Sequence, residues 1–172
     1  MSISELEKNV AGPVWWVLHS RPRCEKRIRD GLTAQGQQAY LPCRNSRRIY
    51  PSKSVTFTVP LFPGYVFAQI CHHEKSAVLS KLPVAGVLTV VDQFRFQQQL
   101  EDLKRVLHTG VEPVPCPFIE TGRRVKITSG KFKGTEGLVV RRSGKTRLIL
   151  SIDILQQSVE VELEADLVAL AA

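Results

Sequence analysis

Two blocks of basic residues carry the clearest chemical information in this sequence. Nine lysines and arginines lie between residues 19 and 53 against two acidic residues, and nine lie between residues 121 and 150 against one. Such clusters neutralise phosphates or other anionic groups, so two separate surfaces for a polyanionic partner are predicted. Either block alone is interpreted equally well as a solvated face of a basic protein.

The nucleophilic and metal-ligating residues lack the spacing that catalysis or metal binding requires. The cysteines at positions 24, 43, 71 and 116 form no CxxC pair, and His72 and His73 have no partner at ligand spacing. Glu160, Glu162 and Glu164 alternate along a predicted strand, which is typical of a solvated face. We therefore predict reduced thiols, no metal, no cofactor and no enzymatic activity.

The composition is that of a soluble globular protein. The 172 residues carry a formal net charge of +8, with 43% hydrophobic and 23% charged residues. This excludes a fully disordered chain, and the length suits one domain or two small ones. No apolar run approaches the roughly 18 residues that span a bilayer, and the first run is too short for a signal peptide. A cytoplasmic protein without membrane contact is expected.

A strand and an amphipathic helix are predicted to position the first basic block. The apolar, aromatic run 14–18 is typical of a central strand. Ile28 and Leu32 continue an apolar repeat of four residues that starts at Cys24, and Gly36 ends the predicted helix. The basic residues beside this stripe give the helix a cationic exposed side: Arg23, Lys26, Arg27 and Arg29.

The rest of the N-terminal region alternates between strands and helices. Strict alternation in residues 55–59 marks the return strand of an exposed, polar ribbon over 44–59, whose tip carries Arg47, Arg48 and Lys53. The other predicted elements are strands at 38–42 and 63–70, a short helix at 72–82, a buried strand at 85–91 and an amphipathic helix at 96–107. The pattern indicates an α+β fold, a largely antiparallel sheet with helices packed on it.

Alternating prolines separate this region from a second one. The segment Pro113–Pro117 excludes helix and favours an extended linker over 109–119. Period-2 patterns such as 148–154 and 159–163 predict four or five short strands, the size of a small SH3-like β-barrel. The predicted organisation is an N-terminal tail (1–13), an α+β domain (14–108), the linker (109–119) and a β-barrel domain (120–172).

Two motifs in this order resemble transcription elongation factors of the NusG type. The segment Pro60–Phe67, PLFPGYVF, preceded by a tandem tryptophan in the first strand, resembles the N-terminal domain of that family. Residues 122–137, GRRVKITSGKFKGTEG, resemble the KOW motif that follows it. The segments 22–26 and 158–162 are similar to specialised paralogues of the RfaH and UpxY type. The combination is specific, whereas a KOW-like stretch alone also occurs in ribosomal proteins.

The resemblance implies a non-enzymatic factor that binds RNA polymerase and suppresses pausing or termination. In the family, an aromatic pocket of the N-terminal domain grips the clamp helices of the largest polymerase subunit. The residues that match this pocket are Trp16, Phe62, Tyr65 and Phe67. Buried aromatic side chains of this kind also serve as plain core, and for Trp16 this alternative has equal weight.

The resemblance also implies contacts to nucleic acid and to a second partner. The KOW loop with Phe132, flanked by Lys131 and Lys133, is expected to meet a small-subunit ribosomal protein or Rho. A monomeric factor is expected. The basic residues expected to face upstream DNA or the displaced non-template strand are Arg23, Lys26, Arg27, Arg47, Arg48 and Lys53.

The rival function is a KOW-type RNA-binding protein linked to ribosome assembly or translation. Its basis is the second basic block, because a KOW barrel also binds ribosomal RNA. Recovery of polymerase subunits or of ribosomal RNA from a lysate distinguishes the two functions.

One branch of the resembled family refolds its C-terminal segment into a helical hairpin. For residues 120–170 we predict a stable β-barrel instead, because the apolar residues keep a period of 2. Glycines at 122, 130, 134 and 137 would each cost a helix roughly 1 kcal/mol relative to alanine.

Overall fold

The computed structural model of the chain describes residues 11–163. The chain groups into two compact units that divide between Gln93 and Phe94, ahead of the boundary at residue 108 that the sequence predicts. The predicted tail up to residue 10 and the C-terminal residues 164–172 lie outside the described residues.

A four-stranded antiparallel sheet forms the centre of the first unit. Helices α1 (Glu25–Ala34) and α2 (Lys75–Leu79) accompany it, which confirms the α+β prediction. The strands in spatial order are β2 (Gln38–Tyr40), β5 (Tyr65–Cys71), β1 (Pro13–Ser20) and β6 (Val84–Thr89).

Helix α1 covers one face of this sheet because its apolar residues repeat every four positions. Ile28 and Leu32 are fully buried and share a core with Leu18 and Val66 of the sheet. The helix ends ahead of Gly36, whose φ of +75° favours glycine. The predicted helix and its core-facing stripe are confirmed.

The strand predicted as buried over 85–91 is instead an exposed edge strand, so that prediction is wrong. β6 lies at the end of the strand order, beside β1, and the side chains of Val87 and Leu88 are more than one-third exposed. An edge strand has a sheet neighbour on one side alone, so an apolar run there does not imply burial.

The predicted ribbon is confirmed as a separate two-stranded antiparallel sheet. It consists of β3 (Cys43–Tyr50) and β4 (Lys53–Pro60). Tyr50 lies opposite Lys53 at the distal end, and residues 51–52 form the turn. Its hydrogen-bonded ladder is distinct from that of the four-stranded sheet.

A five-stranded antiparallel sheet dominates the second unit. Helix α3 (Gln93–His108) begins at the division and lies mostly in this unit. The β prediction for the C-terminal region is confirmed over its described residues. The strands in spatial order are β7 (Val114–Pro117), β11 (Gln157–Leu163), β10 (Lys145–Ile152), β9 (Glu136–Arg142) and β8 (Arg123–Lys126).

Polar contacts join helix α3 to the β-strands and turns of its own unit. The Arg95 guanidinium pairs with the carboxylate of Asp153 at 2.7 Å. The Asp102 carboxylate accepts the backbone N–H of Glu136 at 3.2 Å. The neighbouring Arg105 donates to the carbonyl of Gly134 at 3.0 Å. The helix is thus tied by side-chain hydrogen bonds and an ion pair to strands and turns of the second unit.

Part of the predicted linker is a strand of the second sheet. β7 pairs with β11, placing Pro115 opposite Val159 and Pro117 opposite Gln157. Proline has no N–H to donate, and an edge strand tolerates it because one side of the strand has no ladder partner. The prolines therefore predict the extended backbone correctly, but the segment is not a free linker.

Candidate partner and nucleic-acid interfaces

The four aromatic residues predicted to bind polymerase do not lie on one face of the sheet. In the pairing of β1 with β5, Trp16 lies opposite Ala68, whereas Tyr65 lies opposite His19. Directly paired residues share a face and successive residues alternate, so Tyr65 and Phe67 lie on the face opposite to Trp16. A single pocket of all four side chains is therefore not formed.

Trp16 belongs to the core that helix α1 covers. Its indole Nε1 donates a hydrogen bond to the carbonyl of Ile70 at 3.0 Å. The His72 ring meets the indole edge-on, with centroids 4.9 Å apart, and Lys75 Nζ lies 3.9 Å from the ring centroid. The indole is buried, so the core interpretation holds for Trp16.

Phe62 and Phe67 are also buried. Phe67 is 0% exposed, and its ring contacts that of Phe62 with centroids 6.4 Å apart. Tyr40 contacts Phe67 at the same centroid distance. Phe62 and Phe67 therefore support the segment around Tyr65 from within, rather than presenting their rings to a partner.

Tyr65 is the accessible member of the predicted set. Its ring stacks on the exposed His19 with centroids 5.3 Å apart. The preceding Gly64 has φ of +89°, and its N–H donates to the Glu25 carboxylate at 2.8 Å. Sequence reasoning missed His19, although its place two residues after Val17 on β1 puts it on this face. Tyr65 and His19 are called the aromatic pair below.

The basic residues of helix α1 lie on its exposed side, as predicted. Lys26 and Arg27 are exposed, and so is Arg23 in the turn that precedes the helix. Lys26 Nζ donates to the carbonyl of Thr58 at 2.7 Å, so this lysine also ties the helix to strand β4. Arg23 has φ of 59°, a backbone conformation that is uncommon outside glycine.

The basic residues of the ribbon are exposed but divided between its two faces. Arg47 donates to the Ser54 hydroxyl at 3.0 Å. The guanidinium carbon of Arg48 lies 5.7 Å from the centroid of the Phe57 ring on the other face. Lys53 is exposed next to the turn. Both faces of the ribbon are thus cationic.

Exposed apolar side chains on the ribbon are a feature that sequence reasoning missed. Ile49 is 81% exposed, Tyr50 42% and Phe57 41%. Alternation predicted an exposed ribbon here, but not that its apolar and aromatic side chains stay uncovered. Exposed aromatic rings beside arginines are typical of surfaces that stack on planar groups.

The KOW loop does not present its aromatic ring as predicted. Phe132 is 1% exposed, so this ring is part of the core and is not presented at the surface. A phenylalanine near a loop is buried whenever the loop folds back over apolar strands. Lys131 and Lys133 are exposed, and Lys131 Nζ lies 5.2 Å from the Phe132 centroid.

Burial changes the acidity of several groups. It raises the pKa of Asp102 to about 6, although the Glu136 N–H and the Arg105 guanidinium act in the opposite direction. Burial likewise raises the pKa of the Cys43 and Cys116 thiols, which favours the neutral thiol over the nucleophilic thiolate.

Residues 11–163 carry neither a metal-ligand cluster nor a membrane-spanning helix. No group of three His, Cys, Asp or Glu side chains suited to a metal ion occurs within that range. None of the helices there is long and apolar enough to cross a membrane.

Comparison with protein-family models gives one match in each part of the chain. The model described as NusG, transcription termination factor nusG, matches residues 13–107. The chain belongs to the NusG family. The KOW motif model matches residues 121–162. A comparison with curated proteins finds no match.

Membership of this family confirms the predicted resemblance at the level of NusG. The family comprises non-enzymatic transcription elongation and termination factors that interact with RNA polymerase. The order of the two matches is that of the two motifs in the sequence.

Proposed function

We propose that this chain is a monomeric, cytoplasmic elongation and antitermination factor that binds the clamp helices of the largest RNA polymerase subunit. The observation that carries the proposal is the NusG match over residues 13–107, followed by the KOW match over 121–162. These extents also support functional domains at 14–108 and 120–172. Bound to the clamp helices, the factor suppresses pausing or termination.

The aromatic pair is the proposed anchor for the clamp helices. Tyr65 and His19 are stacked, and the imidazole is exposed, whereas Trp16, Phe62 and Phe67 are buried. Aromatic groups that already hold their bound orientation lose little conformational entropy on binding. The three buried rings fix the strands that carry the pair.

The experiment is capture of purified core RNA polymerase by the tagged full-length protein. Tyr65→Ala is expected to weaken capture at least tenfold, and His19→Ala to weaken it as well, because each removes one stacked ring. Tyr50→Ala, which removes another exposed tyrosine, is the matched control and retains capture. Normal capture by a folded Tyr65→Ala variant would contradict the anchor.

The proposed activity is tested by transcription through a terminator in vitro. Added wild-type protein is expected to increase the read-through product, whereas the folded Tyr65→Ala variant leaves it unchanged. Equal read-through with and without the wild-type protein contradicts antitermination. Recovery of ribosomal RNA without polymerase subunits from a lysate would favour the RNA-binding alternative.

The basic surface is proposed to contact upstream DNA or the displaced non-template strand. Arg27 on helix α1, Arg23 in the turn before it and Lys53 on the ribbon are exposed. Lys26 joins the helix to the ribbon through Thr58. Phosphate contacts of this kind contribute affinity and position without sequence information.

The second unit is proposed to recruit a small-subunit ribosomal protein or Rho. Lys131 and Lys133 supply the exposed charge at the KOW loop, and the buried Phe132 fixes the loop between them. We also propose that the chain is one of the specialised paralogues of the RfaH and UpxY type. This assignment is supported by the sequence segments 22–26 and 158–162.

A further inference from the structure

One face of the ribbon brings aromatic and basic side chains together. Side chains alternate between the two faces, and the register pairs Tyr50 with Lys53 and Phe57 with Ser46. Arg48 lies between the two rings and contacts the Phe57 ring. This face is called the stacking face, and its residues are Arg44, Ser46, Arg48, Tyr50, Lys53, Val55, Phe57 and Val59.

The stacking face has the electrostatic character that a nucleic acid requires. No aspartate or glutamate occurs anywhere between residues 31 and 73, so local carboxylates do not offset the three basic side chains of this face. Tyr50 and Phe57 each keep about two-fifths of their surface exposed. Exposed rings interleaved with cations are complementary to bases interleaved with phosphates.

We infer that the stacking face binds unpaired nucleotides, whose bases stack on Tyr50 and Phe57. The two rings lie four residues apart along the ribbon, about 13 Å at the rise of a strand. A strand that is stacked as in B-form DNA rises 3.4 Å per nucleotide, so this distance corresponds to about four nucleotide steps of such a strand. Arg48, which lies between the two rings, and Lys53, which lies opposite Tyr50, neutralise phosphates of the bound strand.

Base stacking distinguishes single strands from duplexes. In a duplex the base faces are already covered by neighbouring base pairs, so the two rings have nothing to stack on without unstacking them. The inference rests on the proposed nucleic-acid contact and deepens it, because it assigns base stacking in addition to phosphate neutralisation.

The opposite face of the ribbon provides a matched control. Ile49 and Thr56 lie there with Arg47, whose guanidinium is hydrogen-bonded to Ser54. Ile49 is more exposed than either ring of the stacking face. Removing Ile49 and Thr56 side chains therefore alters a comparable exposed surface without altering the aromatic rings or the charge.

The experiment measures fluorescence anisotropy of labelled 12-nucleotide DNA and RNA single strands and of the corresponding DNA duplex. Four full-length proteins are compared. They are the wild type, Tyr50→Ala with Phe57→Ala, Tyr50→Phe with Phe57→Tyr, and the control Ile49→Ala with Thr56→Ala. A single strand containing 2-aminopurine reports stacking directly, because stacking on a ring quenches its fluorescence. Circular dichroism checks that each variant is folded.

Loss of both rings is expected to weaken single-strand binding about 30-fold and to abolish the quenching, as two base–aromatic stacks require. The slope of log affinity against log salt stays unchanged, because no charge is removed. Duplex binding changes less than threefold, and both the aromatic exchange and the opposite-face control bind like the wild type. The DNA and RNA arms show which strand is preferred.

Unchanged single-strand affinity in a folded double-alanine variant would overturn the inference, and so would an equal loss on the duplex. Failure of the wild type to bind any oligonucleotide would overturn it too. None of these measurements contains polymerase. A failure here therefore leaves the polymerase capture result intact, and a failure of capture leaves the stacking result intact.

Discussion

Phe67 in the four-stranded sheet and Phe57 in the ribbon are strand phenylalanines ten residues apart in the sequence. Phe67 is fully buried against Phe62 and Tyr40, whereas Phe57 is two-fifths exposed beside Arg48. The strand of Phe57 alternates polar and apolar residues, whereas the strand of Phe67 is a nearly continuous apolar run, as is typical of a strand buried on both faces. The difference is one of burial: side chains on both faces of β5 are mostly buried, whereas most side chains on both faces of the ribbon are exposed.

The largest effect that distinguishes the two regions is on stability. Phe67→Ala is expected to lower the free energy of unfolding by about 3–5 kcal/mol, because a fully buried ring leaves a cavity. Phe57→Ala is expected to lower it by less than about 1 kcal/mol, since the residue is two-fifths exposed and its ring lies beside the exposed Arg48. Urea unfolding of the two full-length variants checks this, and equal losses would remove the distinction between covered and open strands.

The next effect concerns charge on the open surface. Four arginines on helix α1 and the ribbon are replaced together by glutamate. We expect duplex and single-strand binding to weaken more than tenfold. The slope of log affinity against log salt should become shallower by about 3, at 0.7–0.9 per lost phosphate contact. The variant changes Arg23, Arg27, Arg47 and Arg48.

The matched control replaces the same four arginines by lysine, which keeps each charge. In this control the slope of log affinity against log salt is expected to stay within about 1 of the wild-type slope. An unchanged slope in the glutamate variant, with the fold intact by circular dichroism, would show that nucleic acid does not bind this surface.

The smallest expected effect is on the pH dependence of stability. It compares the buried Asp102 of the second unit with the exposed Lys53 of the ribbon. The pKa of Asp102 is raised by burial to about 6, above the ordinary value near 3.9 that applies when the chain is unfolded. The folded state therefore binds the proton more tightly. The resulting stabilisation is complete below about pH 4 and is lost as the pH rises through about 6.

Unfolding of the wild type and of Asp102→Asn is therefore compared at pH 7 and pH 5. The wild type is expected to gain about 1 kcal/mol relative to the variant on going to pH 5. Lys53→Met on the ribbon, which removes an open charge, should show the same pH response as the wild type. If the wild type instead gained stability relative to the variant on going to pH 7, the pKa of Asp102 would be lowered rather than raised in the folded state.

Periodicity in one segment was enough to predict some parts of the fold. The spacing of Ile28 and Leu32 gives the helix and its buried stripe, and alternation in residues 55–59 gives the ribbon. The motifs gave the family as well. The helix, the ribbon and the family motifs each depend on residues that are close together in the sequence, so they can be identified from it directly.

The rest depends on pairing between distant segments. Trp16 and Tyr65 lie on opposite faces because of the register between β1 and β5, which periodicity in either strand does not specify. The exposure of β6 follows from its place at the sheet edge, and the burial of Phe132 follows from how its loop folds back. Asp102 is buried by contacts with residues some thirty positions away.

The ribbon completes its hydrogen-bonded ladder within residues 43–60, and the bond from Lys26 to Thr58 fastens it at its base. Its eight paired rows give it a length of about 27 Å. The sequence and length of the ribbon can therefore change during evolution independently of the four-stranded sheet. Substitutions near the turn at residues 51–52 leave the packing of the sheet untouched, and pairs of residues added there lengthen the ribbon without changing its faces. Selection can therefore retune what the tip contacts while the rest of the domain stays constant.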